Sequence, residues 1–289
     1  MSLFLLQAMI GTALSPVLTE VGRRRYNFKM PVRHGQAVQT KRQDKDRDMV
    51  SSVITDSLAP HGHLRAAINM SNFLLVSGTT EDGQPDGLSP DLAKEIARRI
   101  GVGCELVPFE GPGVLADAVG RDIWDIGNIA IEPERAAVID FSQPYIQIDA
   151  NFLARADSGI NRNEDVNKQG VEIMLYGRSA YDLWLKENYL SADYLRVASI
   201  AESVTAFEDG RGDVLACLKP KLLEMVAANP AYQIIEPPFT GIRQAVGLNK
   251  GHPEALAFVN ETIKELIESG FVTASLARHG VSDKLSLPG

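Results

Sequence analysis

From Leu64 onward, apolar and polar residues alternate with two different periods. An apolar residue recurs every four positions from Leu88 to Ile100 and Gly101 follows, which predicts a helix over Leu88–Gly101. Shorter apolar runs predict strands over Leu64–Asn69, Cys104–Phe109 and Asp125–Ile131, with a second helix over Val114–Val119. This order of strands and helices is typical of a parallel sheet with right-handed crossovers.

A second alternating set follows along the chain. It predicts strands over Val171–Tyr176, Leu195–Ala198, Asp213–Leu218 and Gln233–Ile235, and helices over Ser179–Tyr189, Ala201–Glu208 and Pro220–Ala228. Two extended segments, Gln147–Arg155 and Arg243–Asn249, join the two sets. We therefore expect an α/β fold of two lobes, each a mostly parallel sheet flanked by helices, with the two crossovers forming a hinge.

The lobe boundaries follow from these two crossings. Lobe 1 is predicted to comprise residues 64–150 plus 245–283, and lobe 2 residues 151–244. The helix predicted over Pro253–Ser269 carries an apolar stripe and is expected to return to lobe 1. One continuous sheet, or three or more crossings, would refute this division into two lobes.

Charge separates the first 48 residues from the rest of the chain. They hold nine Lys or Arg and four Asp or Glu, whereas the whole chain of 289 residues has a net charge of −8. Three interpretations stay open for residues 1–48: an extension upstream of a true start at Met49, a poor signal peptide, or a functional tail. The polar run within them has the composition of a disordered segment. The acidic body makes general binding to nucleic acid an unfavourable interpretation.

The sequence contains no motif for a metal or a cofactor. Cys104 and Cys217 fall in different predicted lobes, so we expect two separate buried thiols rather than a disulfide. His61 and His63 lie two positions apart without a nearby third ligand, and no metal site is predicted.

The residues after the apolar run Trp124–Ile131 carry the main candidate for binding. Pro133 suits the first turn of a helix, which places Arg135 just beyond the carboxyl end of the predicted strand. Open α/β sheets bind ligands at that edge, and a guanidinium there is a two-pronged clamp for a carboxylate. The alternative is a surface arginine paired with Glu132 or Glu134.

A wider set of landmarks resembles the family 3 extracellular solute-binding proteins, the polar amino-acid-type receptors of ABC importers. The landmarks are Gly87, the segment Asp91–Ala97, Trp124-Asp125, Pro133-Glu134-Arg135 and Asp140-Phe-Ser-Gln-Pro-Tyr145, within residues 64–283. The resemblance implies a periplasmic-binding-protein-like fold, a monomer, a small anionic or amino-acid-like ligand and an ABC permease in the membrane as partner. It also implies a periplasmic location; a start at Met49 would leave the protein in the cytoplasm.

The resemblance assigns Arg135 to the ligand α-carboxylate. Asn128 and Ala130 lie where relatives have Gly and hydroxyl residues, and Asn128 either bonds ligand or caps its own turn. Glu132 replaces a common Thr. Phe73 after the first strand is expected either to stack on the ligand or to pack in the core.

The second lobe departs from the family pattern. Relatives usually carry an Asp for the ligand ammonium where this chain has Leu218, and Lys219 follows. Lys219 either holds a second anionic group or begins the next helix facing water. Arg178 and Ser179 lie in the position of the family's anion loop, where free N–H groups suit a carboxylate, although Arg178 is as readily turned outward.

Two further functions remain as alternatives to a receptor. One is an enzyme similar to the cyclohexadienyl dehydratases, which share this fold, with Glu132 as the candidate acid. The chain lacks the Gly-Gly-Thr-Asn-Glu segment of those enzymes, and Tyr176-Gly-Arg-Ser occupies its place. The other is a ligand-sensing domain.

Overall fold

A computed structural model of the chain describes residues 51–287. The predictions for residues 1–48 and for a start at Met49 lie outside the described residues. Within the described range, no helix combines the length and the apolar character needed to cross a bilayer.

Helices and strands alternate along most of the described chain. The helices are α1 (Ser52–Leu58), α2 (Leu88–Ile100), α3 (Pro112–Asp117), α4 (Pro133–Ala136), α5 (Asn163–Val166), α6 (Ala180–Asn188), α7 (Ile200–Glu208), α8 (Lys219–Ala228), α9 (Pro253–Glu268) and α10 (Phe271–Arg278). The strands are β1 (His63–Asn69), β2 (Gly78–Thr79), β3 (Pro85–Asp86), β4 (Gly103–Phe109), β5 (Ile126–Ala130), β6 (Ile139–Phe141), β7 (Ile146–Arg155), β8 (Glu172–Tyr176), β9 (Asp193–Val197), β10 (Val214–Leu218) and β11 (Tyr232–Asn249).

Helix α2 shows how the apolar period produces a buried face. Its residues at the four-residue spacing from Leu88 to Ile100 are buried, and its charged residues lie largely on the outer face. Gly101 ends the helix in the left-handed conformation, with φ of 77°, and its N–H is directed at the carbonyls of Ala97 and Arg98. Glycine adopts this conformation without the cost that a Cβ would impose.

The strands form one hydrogen-bonded ladder in the order β4-β1-β5-β11-β7-β10-β8-β9, with β6 paired to β11. Neighbours β4, β1 and β5 are parallel, as are β10, β8 and β9, whereas β7 and β11 run antiparallel to their neighbours. The strands of the two lobes thus belong to one ladder, although a continuous sheet was expected to exclude two lobes. The two crossing strands pair with each other over Tyr232–Ile235 and Thr240–Gln244, with a shift of register between these stretches, so the ladder extends from one lobe to the other.

The lobes are nevertheless distinct, because each has its own apolar core. One core joins residues of α2, β1 and the C-terminal helices α9 and α10 with Ile146 and Val246. The other joins β8, β10 and α6 with Ile148, Ala150 and Ile242. The fold is therefore two-lobed and α/β, and the C-terminal helices pack in the first lobe as the apolar stripe predicts.

The change from one core to the other defines the hinge. On β7 it falls at Gln147, a few residues before the boundary predicted at 150, because Ile148 and Ala150 pack in the second core. On β11 it falls between Ile242 and Val246, which brackets the boundary predicted at 244.

The C-terminal segment also reaches the hinge. Ser286 and Gln147 exchange backbone hydrogen bonds of 2.8 and 3.2 Å. Next to it, Leu285 packs against both cores. A third length of chain thus pairs with the crossing strands at the point where the lobes meet.

Both cysteines are free thiols in this structure. Cys217 lies fully buried in the second lobe and Cys104 is half-buried in the first. Burial raises the pKa of both thiols, to about 12 for Cys217 and about 11 for Cys104.

Candidate functional site

The cleft between the lobes contains a small, partly open cavity of about 40 Å³. It lies beyond the carboxyl ends of β1 and β5 from the first lobe and of β8 and β10 from the second, where parallel strands present ligand-binding residues. The residues around it are Asn69, Ser71, Asn72, Pro112, Ala130, Arg135, Tyr176, Ser179, Ala180, Tyr181, Ile200, Leu218, Ile242 and Gln244.

Arg135 is positioned by the short helix α4. Its side chain is only 3% exposed. Its Nη1 donates to the carbonyl of Ala130 at 3.1 Å, and its Nη2 donates to the carbonyl of Arg178 at 3.1 Å, so it spans the two lobes. Burial lowers the pKa of Arg135 to about 10, which leaves the guanidinium charged at neutral pH.

Among the described residues around the cavity, Arg135 is the only charged one. Leu218 contributes an apolar wall at the end of β10, where the family pattern has a carboxylate. A cation without a facing carboxylate favours an anionic ligand group.

The first lobe also supplies neutral hydrogen-bonding groups to the cavity. Asn69 ends β1, and its Oδ1 accepts from the hydroxyl of Ser71 at 2.8 Å and from the Ser71 N–H at 3.2 Å. On the facing lobe, Tyr181 is buried and its hydroxyl has no partner among the described residues. Gln244 of β11 completes the polar part of the wall.

Ser179 caps helix α6 at the edge of the cavity. Its Oγ accepts from the N–H of Asp182 at 3.1 Å. The Asp182 carboxylate in turn accepts from the N–H of Arg178 at 2.7 Å and from the Arg196 guanidinium at 2.9 Å. The N–H of Arg178 is therefore bonded within the protein.

The structure brings three of the sequence-predicted site residues to the cavity: Arg135, Ala130 and Ser179. Asn128 is a buried residue of β5, and its Nδ2 donates to the carbonyl of Ser89 at 2.9 Å. Phe73 is half-buried and packs against the core of the second lobe. The bond of Asn128 to Ser89 is neither the ligand bond nor the cap of its own turn that the sequence left open, whereas Phe73 packs against the core.

Lys219 lies away from Arg135. Its Nζ is 2.7 Å from Oε1 of Glu236, and it borders a separate hollow near Gln147 and Asp283. Leu218, one residue earlier, borders the cavity instead. The expectation that Arg135 and Lys219 face one ligand does not match this arrangement, because the start of α8 turns Lys219 to the other side.

Arg178 projects across the cleft without bordering the cavity. Its guanidinium contacts both carboxylate oxygens of Asp117 in the first lobe, at 2.6 and 2.9 Å. Of the two orientations left open by the sequence, the outward one describes this half-exposed side chain better, with Asp117 as its partner.

Glu132 precedes α4 and is only 6% exposed. Burial raises its pKa to about 7, Arg135 and Arg243 act in the opposite direction, and Glu187 from the second lobe adds to the rise. It does not border the cavity that holds Arg135.

Sequence reasoning missed several residues around the cavity. Asn69, Ser71 and Asn72 follow the carboxyl end of β1, and polar residues at a strand end were the signal that identified Arg135. The sequence around Gln244 gave no comparable indication of a site, because this residue lies inside the long strand β11 and not at a strand end.

Comparisons with known proteins agree with this architecture. A model of the bacterial extracellular solute-binding proteins, family 3, matches residues 64–281. The L-cystine-binding protein of Escherichia coli K12 is 26% identical over 201 residues, which cover 67% of this chain and 74% of that protein. The ABC transporter glutamine-binding protein of Bacillus subtilis is 26% identical over 200 residues, which cover 65% of this chain and 70% of that protein.

A solved structure with the same fold is the ancestral amino-acid-binding protein AncCDT-1, a precursor of cyclohexadienyl dehydratase. It superposes with a TM-score of 0.63 at 27% identity and covers 79% of this chain and 99% of that one. The two curated relatives above are named as binding proteins rather than enzymes.

Proposed function

We propose that this chain, which belongs to the family 3 bacterial extracellular solute-binding proteins, binds a small carboxylate that has no free α-ammonium group. It is a solute-binding receptor of the type that serves ABC importers. The proposal concerns the chemistry of its ligand and the partners it meets.

One observation supports the ligand class above the others. The described residues around the cavity contribute a single formal charge, the buried guanidinium of Arg135. In a water-poor cleft, an ammonium group without a facing carboxylate loses its hydration with no charged partner to replace it. A carboxylate alone meets a matching partner.

The position of Lys219 narrows the class of expected ligands further. A dicarboxylate would need a second cation in the cavity, and Lys219 is instead paired with Glu236. The remaining lining offers apolar contact from Ile200, Leu218 and Ile242. A monocarboxylate with a small apolar body and one or two neutral polar groups, such as a 2-oxo or 2-hydroxy acid, fits these groups best.

Titration calorimetry against 2-oxo acids, 2-hydroxy acids, dicarboxylates and neutral, acidic and basic amino acids tests the ligand class. We expect the monocarboxylates without an ammonium to bind most tightly. Tight binding of a free amino acid, the ligand class named for the relatives, would refute the proposal.

Two variants separate the effect of Arg135 on ligand affinity from the effect of losing any positive charge. Arg135→Met keeps an unbranched stem and removes the guanidinium, and it should weaken binding by roughly 30- to 5,000-fold, the usual range for breaking a buried hydrogen-bonded charge pair. Arg121→Met changes an exposed arginine of the same lobe and serves as the control. Equal affinities of the two variants, with both unfolding cooperatively, would contradict the assignment.

The absence of turnover is part of the same proposal. Glu132, the candidate acid, lies outside the cavity lining, which supports binding without chemistry. Incubation with prephenate and with arogenate, followed by product analysis, is the direct check. Formation of phenylpyruvate or phenylalanine above the uncatalysed rate would show an enzyme.

We infer that the receptor acts as a monomer outside the cytoplasm and delivers its ligand to an ABC permease. The family description supports the location. Fractionation of cells that express the whole chain, beside cells that express it from Met49, tests whether residues 1–48 direct export. Light scattering of the purified protein tests the monomer.

A further inference from the structure

Two glycines of the first lobe lie against the second lobe at unusually short distances. A Cβ on Gly111 would lie 1.9 Å from the hydroxyl oxygen of Tyr176, and a Cβ on Gly113 would lie 2.9 Å from Cζ of Arg178. Gly111 has extended backbone, with φ of −165°, which any residue adopts. Glycine is therefore needed at position 111 because a side chain would overlap Tyr176, and not because of an unusual backbone angle.

Arg178 is the residue of the second lobe that reaches these glycines. It has φ of 62°, a left-handed conformation that is uncommon for a residue with a side chain. In this conformation its carbonyl accepts from Nη2 of Arg135 at 3.1 Å, while its own Nη2 donates to the carbonyl of Gly113 at 3.2 Å. Its guanidinium also forms the two-pronged contact with Asp117. One residue thus contacts the first lobe at three points.

The strain at Arg178 points to a role between the lobes. A left-handed non-glycine residue persists where surrounding contacts determine it, and such residues concentrate at ligand clamps and switches. Its N–H is fixed by Asp182 within the second lobe, so the backbone presents the side chain to the first lobe in one orientation. The other ion pair across the cleft, Lys186 with Glu134, spans 3.6 Å between exposed side chains and contributes little.

We propose that Gly111, Gly113 and Asp117 form a docking site for the segment Tyr176–Arg178, and that this docking stabilises the closed arrangement of the lobes. We call these residues the interlobe latch. Closure is needed to surround the ligand, so the latch shifts the population toward the binding-competent state, and its residue Arg178 holds Arg135 in place. Only the effect on ligand affinity rests on the proposed function.

The distance between the lobes gives a test that needs no ligand. Spin labels at Lys94→Cys in α2 and Thr205→Cys in α7, both exposed positions, report the separation of the lobes by pulsed electron resonance. The background carries Cys104→Ser, since Cys217 is fully buried.

The variants divide the latch into its steric and electrostatic parts. Gly111→Ala should move the distance distribution to longer values, because the added methyl overlaps the Tyr176 hydroxyl. Asp117→Asn should broaden the distribution, whereas Asp117→Glu, which keeps a carboxylate, should retain most of the closed population. Gly78→Ala is the matched control, since no heavy atom lies within 4 Å of its added Cβ.

Ligand titration then measures what the latch contributes to affinity. With the best ligand of the calorimetric panel, Gly111→Ala should bind roughly 10- to 100-fold more weakly, the cost of forcing a methyl group into a packed contact. Asp117→Asn should bind roughly two- to fivefold more weakly, because the ion pair is about half exposed and screened by water.

The outcomes separate this inference from the ligand proposal. If wild type, Gly111→Ala and Asp117→Asn share one distance distribution, the latch is refuted whatever the ligand is. If the distances change as expected but the panel shows a free amino acid as ligand, the latch stands and the ligand class is refuted. Cooperative unfolding of Asp117→Asn, a change on the exposed surface, keeps the test valid even where Gly111→Ala fails to fold.

Discussion

Replacing Glu132 by glutamine should make the stability of the protein less dependent on pH. Glu132 is buried beside Arg135, and this burial raises the pKa of its carboxyl from the ordinary value of 4.5 to about 7. The folded protein therefore holds the proton more tightly than the unfolded chain does. Glutamine has nearly the same shape and no proton to lose.

The sign and size of the effect follow from this difference in pKa. Below pH 4.5 the Glu132 carboxyl is protonated in both the folded and the unfolded protein, so its ionisation does not lower the free energy of unfolding. As the pH rises toward 7 the unfolded chain ionises first, so the wild-type protein loses stability, and above 7 the loss is complete. A difference of about 2.5 in pKa corresponds to about 3 kcal/mol, since each pKa unit is worth about 1.4 kcal/mol.

Urea unfolding at pH 5 and pH 8 measures the effect. The free energy of unfolding of Glu132→Gln relative to wild type should increase by about 2 to 3 kcal/mol between the two pH values. Glu134→Gln removes an exposed carboxylate from the same turn. This control shows how the loss of a charge alone changes the free energy of unfolding. If the free energies of unfolding of Glu132→Gln and wild type differ by the same amount at both pH values, the reasoning is refuted.

Three further predictions use single side chains. Leu218→Asp restores a carboxylate to the cavity and should shift the calorimetric preference from 2-oxo acids to amino acids; an unchanged preference would contradict the role given to this position. Ser179→Ala should lower the free energy of unfolding by about 1 kcal/mol through loss of the cap to Asp182, measured in urea, and an unchanged value would argue against the cap. In mass spectrometry of native protein treated with iodoacetamide, Cys217 should stay unmodified and Cys104 should react slowly; rapid modification of Cys217 would show that its core opens.

The sequence predicted the order of elements because most of them carry a clear apolar period. Helix α2 and strands β1, β4 and β5 were predicted to within a few residues for this reason. Short elements such as β2, β3 and β6 were missed, since two or three residues contain no measurable period. Helix α10, only eight residues long, was missed as well.

The pairing of the crossing strands was beyond sequence reasoning for a different reason. The hydrogen bonds between β7 and β11 join residues about ninety positions apart, such as Phe152 and Ile235. Apolar alternation predicts that each segment is extended but not which strand lies next to it. The continuous ladder therefore appears only in three dimensions.

The site was predicted in part, because only some of its positions depend on local signals. Arg135 follows from a strand end, a proline and the family pattern. The position of Lys219 could not be predicted, because one residue at the junction between β10 and α8 decides which side a side chain faces, and its partner Glu236 comes from a distant strand. The contacts of Gly111 with Tyr176 join two lobes, and no local pattern predicts them.

The bond between Ser286 and Gln147 has a mechanical consequence for the motion of the lobes. Two independent extended linkers would let the lobes rotate about many axes. Here the crossing strands are hydrogen-bonded to each other, and the C-terminal segment is hydrogen-bonded to β7. The hinge is therefore a ribbon of three segments of the chain. A hydrogen-bonded ribbon bends and twists perpendicular to its plane more readily than it shears within it. Opening by bending and twisting of this ribbon would keep the lobes aligned, so that closing brings the carbonyl of Arg178 back to Arg135.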